Sequence, residues 1–320
     1  MTGLRVHACL AVVLLLATVP AAAQGYPQRP VRVIAVAAGG GPDLIARMVA
    51  AKFAERMGQQ FYVENRPGAG GNLGAELVAR AAPDGHTLLL GSASQAISMT
   101  LFPKLGYDLT RDFAPVSMVA SAPFVLAVHP SLPVRSVREL ITLAKSRKGE
   151  LLFASGGSGT PPHLASQMLK TAAGIDFVHV PYKGIMLAIN DLIGGHVHFT
   201  IAVTPIAMPL VQSGRLRALG MTSAGRSKLA PEVPAISETV RDFEVIGWYG
   251  LLAPAGTPPA VLTRLHQETQ QVIAQPEIAE RLLALGSEPQ AMTAPAFAAF
   301  IQSEIRKWGK AVKDSNAQPD

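Results

Sequence analysis

Four short stretches of this sequence carry residue types that could hold a small anion. They are Gly39-Gly40-Gly41-Pro42-Asp43, Gly91-Ser92-Ala93-Ser94-Gln95, Ser155-Gly156-Gly157-Ser158-Gly159-Thr160 and Pro181-Tyr182-Lys183-Gly184. Glycine lets the backbone approach a ligand closely. Where a helix follows, its first N–H groups are unpaired and carry partial positive charge, which suits an anion. Asp43 is placed to cap such a helix. Ser92, Ser94, Gln95, Ser158 and Thr160 add hydroxyl or amide groups, His163 an imidazole and Lys183 a cation. For any one loop taken alone, a plain turn is the better reading. Four such loops after apolar runs favour a cleft, because ligands of open α/β sheets bind at the carboxyl ends of strands.

Other chemistries fit less well. The dinucleotide fingerprint fails because Leu44 and Leu73 stand where the third glycine belongs. No phosphate-binding G-x-x-x-x-G-K-[ST] loop occurs. Ser158 is not in a G-x-S-x-G elbow, because position 160 is Thr. His163 could act as a base on Ser158, and a secreted serine-type hydrolase built on that pair is the alternative reading. His196 and His198 form an H-x-H pair without a third ligand nearby. The one cysteine, Cys9, falls in the leader, so the mature chain has no thiolate chemistry. No catalytic residue, metal or cofactor is therefore expected. The net charge of +6 is scattered and forms no basic cluster interleaved with aromatics, which argues against a nucleic-acid partner.

These loops need strands and helices to position them, and the hydrophobic pattern supplies both. Val31 to Val36 reads as a strand, and Leu44, Ile45, Met48, Val49 and Phe53 recur at helical spacing. The unit repeats through strands at 61–64 and 87–90 and a helix over 72–80. A second set follows: a helix over 137–146, strands at 151–154, 177–180, 197–203 and 216–222, and a helix from Pro162. The alternation predicts an α/β protein with mostly parallel sheets covered on both faces. Two long apolar segments, 116–128 and 243–253, read as crossing strands of a hinge. Trp248 and Tyr249 read as hinge core. The expected organisation is a signal peptide over 1–23, one lobe from 24–122 plus 249–320, and a second lobe from 123–248. The basic start, short apolar run and Ala21-Ala22-Ala23 predict export to the periplasm, with cleavage near Ala23.

Several longer stretches resemble one family. They are Tyr26-Pro27-x-Arg29-Pro30-Val31, the run from Gly39 to Arg47, Glu64 to Asn72, Ala82-Pro83-Asp84-Gly85, His179 to Gly184, Asp191 to Gly195, Leu216 to Leu219 and Trp248-Tyr249-Gly250. In this order they resemble the Bug family, the TctC-like substrate-binding proteins of tripartite tricarboxylate transporters. The resemblance implies a two-lobed periplasmic binding protein of type II, a Venus flytrap. It implies capture of a small carboxylate and partnership with membrane permease subunits or a sensor domain; a monomer is expected. One ligand carboxylate would be held through waters by the first loop, mapping here to Val36, Ala38, Gly39, Gly40, Gly41 and Asp43. Ser92, Ser94 and Gln95 would complete that side. Gly156, Ser158, Gly159, Thr160, His163, Lys183, Val203 and Thr204 would serve from the second lobe. The sequence departs from the family pattern at Val36-Ala37-Ala38, at Ile185-Met186-Leu187 and at Ala202-Val203-Thr204, which lacks an acidic or amide residue. The last departure argues against an amino-acid ligand and for an organic or aromatic acid.

Overall fold

The computed structural model describes residues 25–36 and 41–319. The expected signal peptide and the loop residues Ala38, Gly39 and Gly40 lie outside them. The chain begins with β1 (Val31–Ala35), α1 (Gly41–Met57), β2 (Phe61–Asn65), α2 (Asn72–Ala79), β3 (Thr87–Ser92) and α3 (Ala93–Leu101). A long strand, β4 (Phe113–Val128), leads to α4 (Val137–Ser146), β5 (Leu152–Ser155), α5 (Pro161–Ala173), β6 (Val178–Pro181), α6 (Ile185–Ile193), β7 (Phe199–Val203), α7 (Thr204–Gln212) and β8 (Arg217–Met221). The return strand β9 (Ile246–Pro254) is followed by α8 (Pro259–Ile273), α9 (Pro276–Ala284), the two-residue β10 (Glu288–Pro289) and α10 (Ala294–Ser315).

The strands lie in the order β2-β1-β3-β9-β4-β7-β5-β6, with β8 and β10 also paired to β4. Pairing is parallel within each arm: β2-β1-β3 on one side, β7-β5-β6 on the other. Between the arms it is antiparallel, where β9 meets β3 and β4 meets β9, β7 and β8. The parallel reading of the sequence thus holds for the arms and not for the crossing segments. These run as long buried strands, as their unbroken apolar character requires once both faces are covered.

The register explains why the arms face each other. Ser92, the last residue of β3, pairs with Tyr249, which pairs with Ala120 of β4. Val203, the last residue of β7, pairs with Phe124. β3 and β7 therefore approach the same stretch of β4 from opposite directions and end about 13 Å apart along it, four residues at strand spacing. Their carboxyl ends converge on one point.

Two helices were not visible in the sequence pattern. α3 starts at the residue after β3, without an intervening turn. Ser92 ends the strand and also caps the helix, its Oγ accepting from Ser94 N–H at 3.3 Å. α7 contains Pro205 and Pro209. Proline in the first turn removes only an N–H that no intrahelical bond uses, and the helix ends soon after Pro209.

The C-terminal α10 packs back on the first arm. Its Glu304 is 1% exposed and accepts the indole N–H of Trp308 at 2.7 Å and of Trp248 at 3.2 Å, with Lys307 as an ion-pair partner. Trp248 also meets Phe297 edge to face at 5.7 Å. The carboxylate ties the crossing strand β9 to the tail helix. Glu304→Ala leaves two buried indole donors unsatisfied and is expected to destabilise the fold by about 3 kcal/mol. Urea unfolding followed by Trp fluorescence would show this as a lowered midpoint.

Candidate functional site

Where the strand ends converge there is a cavity of about 350 Å³. The first arm contributes Pro42, Ser92, Ala93, Ser94 and, from β9, Tyr249. The second arm contributes Gly156, Thr160, Pro161, Pro162, Ile185 and Val203. Ala122, Phe124, Gly247 and Trp248 form the floor where β4 and β9 cross. Trp248 is fully buried, so it backs the floor and presents no face to a ligand.

The floor depends on close backbone approach. A Cβ on Gly247 would lie 3.2 Å from the Ala122 carbonyl and 3.3 Å from the Phe124 ring. The second-arm wall does too: a Cβ on Gly156 would lie 2.8 Å from the amide nitrogen of Ile185. Glycine at 156 lets the turn after β5 seat against the start of α6.

The expected site residues divide into groups. Ser92, Ser94, Gly156, Thr160 and Val203 line the cavity. Ser158 and Gly159 line an adjoining recess with Ala69, Gly70, Ser94 and Thr160. Gly41 opens α1 beside Tyr249, whose Oη lies 3.4 Å from where a Gly41 Cβ would sit. Val36 is buried behind this wall, 2.6 Å from where a Cβ on Gly71 would sit. Asp43 is the third residue of α1 rather than its cap, and pairs with Arg47 one turn on at 2.9 Å.

Four more of the expected residues lie outside the cavity lining. Gln95 is fully buried beneath the wall; its Oε1 accepts from Ser92 N–H at 2.9 Å and it completes a capping box. Thr204 is buried, and its hydroxyl donates to the Pro123 carbonyl at 2.8 Å, so it secures the crossing point of β4. Lys183 is exposed on the turn before α6 and outside the cavity. His163 is buried in α5, where Nδ1 accepts the Gly159 N–H at 3.0 Å. That acceptor is engaged by the backbone, so His163 is not poised as a base for Ser158. Likewise His198 Nδ1 accepts from Leu152 N–H at 2.8 Å, which commits that nitrogen to the sheet.

The sequence reading missed Pro42, Ile185, Phe124 and Tyr249 as lining residues. Ile185 carried a signal, since the run Ile185-Met186-Leu187 stood out as a departure. Tyr249 and Phe124 lay inside apolar segments and looked like core. Their role depends on register, which composition does not reveal.

Polar groups on the two walls are used differently. Among the described residues, the hydroxyls of Ser94 and Tyr249 make no side-chain hydrogen bond. Burial raises the Tyr249 phenol above its ordinary pKa, which keeps it a neutral donor. On the other wall, Thr160 Oγ1 donates to the Gly157 carbonyl at 2.8 Å. Beneath that turn His163 stacks on His179 at 4.0 Å, and His179 Nε2 lies 2.6 Å from Ser155 Oγ. Burial, with His179 alongside, pulls His163 down to about 4; burial alone lowers His179. Both rings are therefore neutral at pH 7, and they support the glycine turn as packed, uncharged groups.

The family model described as the tripartite tricarboxylate transporter family receptor matches residues 45–317. A protein of Pseudomonas sp. (strain P51), named for the tcbD-tcbE intergenic region, is 39% identical over 290 residues, covering 90% of this chain and 86% of that protein. Protein BugT of Bordetella pertussis is 35% identical over 303 residues, 93% of each chain. The solved structure of R. palustris Rpa4515 with adipate superposes with a TM-score of 0.78 at 34% identity, covering 92% of this chain and 100% of that one.

The histidine pair sets a pH dependence. The folded state holds both rings neutral below the ordinary histidine pKa, whereas the unfolded chain takes up protons there. Stability contributed by the neutral rings is complete above about pH 6.5 and is lost as pH falls toward the folded value of about 4 for His163. Each pH unit in that window costs at most about 1.4 kcal/mol per ring. Thermal unfolding at pH 7 and pH 4.5 is expected to show a lower Tm at the acidic pH, with a smaller drop in His163→Gln.

Proposed function

Because the chain belongs to the tripartite tricarboxylate transporter receptor family, we propose that it is a periplasmic receptor that closes two lobes around a small organic or aromatic carboxylate. The lobes are residues 24–122 with 249–320, and residues 123–248. The observation that carries the reading is the cavity where β3 and β7 end head to head, lined from both arms. Such a site is completed only when the arms approach each other. Closure removes water and strengthens each hydrogen bond made to the ligand.

The carboxylate is assigned to the first-arm wall, at the starts of α1 and α3, where N–H groups and the helix dipole favour negative charge. The Ser94 and Tyr249 hydroxyls add donors there. The adipate held by the R. palustris neighbour supports a carboxylate as the ligand type. Val203 lines the opposite side with an apolar side chain, where an amino acid's ammonium group would need an acceptor. This favours acids without an amine.

In this reading the chain performs no chemistry on its ligand. It is exported by its leader and acts as a monomer. It presents the closed form to membrane permease subunits or to a sensor domain, which respond to the shift in population. No helix among the described residues is long and apolar enough to cross a membrane.

The test is a thermal-shift screen of the refolded, dialysed mature chain against carboxylates. A ligand that binds only the folded state at about 100 times its Kd raises stability by about 2.7 kcal/mol. The Tyr249→Phe variant is expected to keep its Tm without ligand and to lose about tenfold in affinity, since hydrogen bonds to charged groups contribute about 1.5–3 kcal/mol. Unchanged affinity in that variant would remove Tyr249 from the assigned site.

A further inference from the structure

Resting on the carboxylate-receptor reading and narrowing it, we propose that the ligand is a monocarboxylate whose far end is apolar. The two cleft walls differ in what they offer an anion. The first-arm wall has the Ser94 and Tyr249 hydroxyls and the opening turn of α1, next to which the Tyr249 Oη sits. The second-arm wall has one polar side chain among its described cavity-lining residues, and that group is already engaged. The Thr160 hydroxyl donates to the Gly157 carbonyl at 2.8 Å. The Gly157 N–H donates to Ser155 Oγ at 3.2 Å and the Gly159 N–H to His163 at 3.0 Å.

Two of the three helix starts on this wall, those of α5 and α7, are also poor in donors. α5 opens on Pro161-Pro162, and α7 has Pro205 as its second residue. Proline has no N–H, so three donors that a helix start would otherwise offer an anion are missing. What remains facing the cavity is Phe124, the two proline rings, Ile185 and Val203. None of the described lining residues carries a charge, and residues 37–40 are Ala-Ala-Gly-Gly, which add no ionisable side chain. A second carboxylate pressed on this wall would lose its water and meet no charged side chain. An alkyl chain or an aromatic ring would bury apolar surface on both sides of the contact.

The experiment is isothermal titration of the refolded mature chain at pH 7.5 with two matched pairs, hexanoate against adipate and benzoate against terephthalate. The expected result is that at least one monocarboxylate binds, and binds about tenfold or more tightly than its dicarboxylate counterpart. A dicarboxylate that binds as tightly or more tightly overturns the inference and leaves the receptor reading standing. So does failure of all four alongside binding of a hydroxy acid or amino acid. Absence of binding to any carboxylate removes the underlying reading as well.

A gain-of-function variant separates specificity from damage. Ile185→Lys places a cation on the apolar wall and is expected to shift the adipate-to-hexanoate affinity ratio about tenfold toward adipate. Its Tm without ligand checks the fold. An unchanged ratio in a folded variant shows that this wall does not read the far end of the ligand, and overturns the inference.

Discussion

The strand Phe113–Val128 belongs to both arms, and the cleft exists because of that sharing. Its first part pairs with β9, and its last five residues pair with β7 on one side and largely with β8 on the other. The change of partner falls at Pro123-Phe124. Proline lacks an N–H, so it fits where one ladder gives way to another. The backbone groups around it are satisfied from the second arm. Thr204 donates its hydroxyl to the Pro123 carbonyl. Thr222 accepts from Phe124 N–H through Oγ1 at 2.9 Å and donates its own N–H to Phe124 O at 3.0 Å. A buried crossing point with every polar group paired holds one geometry, and this geometry aims β3 and β7 at each other.

The walls then follow from local rules. A strand ending in a capping serine places α3 directly at the cleft. A glycine turn after β5 packs on α6 because Gly156 has no side chain, and neutral stacked histidines support it from below. The assigned receptor role uses these features. The first-arm wall supplies dipoles and hydroxyls, and the second supplies shape and apolar surface. Selectivity in such a site comes from which end of a ligand is left without a partner when water is expelled.

Much of this was legible in the sequence and some was not. The alternation of strands and helices, the two crossing segments and the strand-end loops containing Ser92, Gly156 and Val203 could all be read, since period and turn chemistry are local. Gln95, Thr204 and His163 lie outside the cavity lining for a common reason. Each is a polar residue beside a loop, and sequence shows polarity without showing which way the side chain turns. Each turns inward and satisfies backbone or capping groups. Tyr249 was missed for the converse reason. Its neighbours are core, and only its pairing opposite Ser92 brings it to the cavity. Antiparallel pairing between the arms was also hidden, because an apolar run carries no record of strand direction.

Hydrogen exchange on the refolded mature chain, with and without saturating hexanoate or benzoate, tests the central claim most directly. If two arms close on one carboxylate, amides near Ser92–Gln95, Gly156–Thr160 and Gly247–Tyr249 slow together on binding, while the outer strands β2 and β6 keep their rates. Protection confined to one arm, or slowing spread evenly over the chain, would contradict a cleft shared between them.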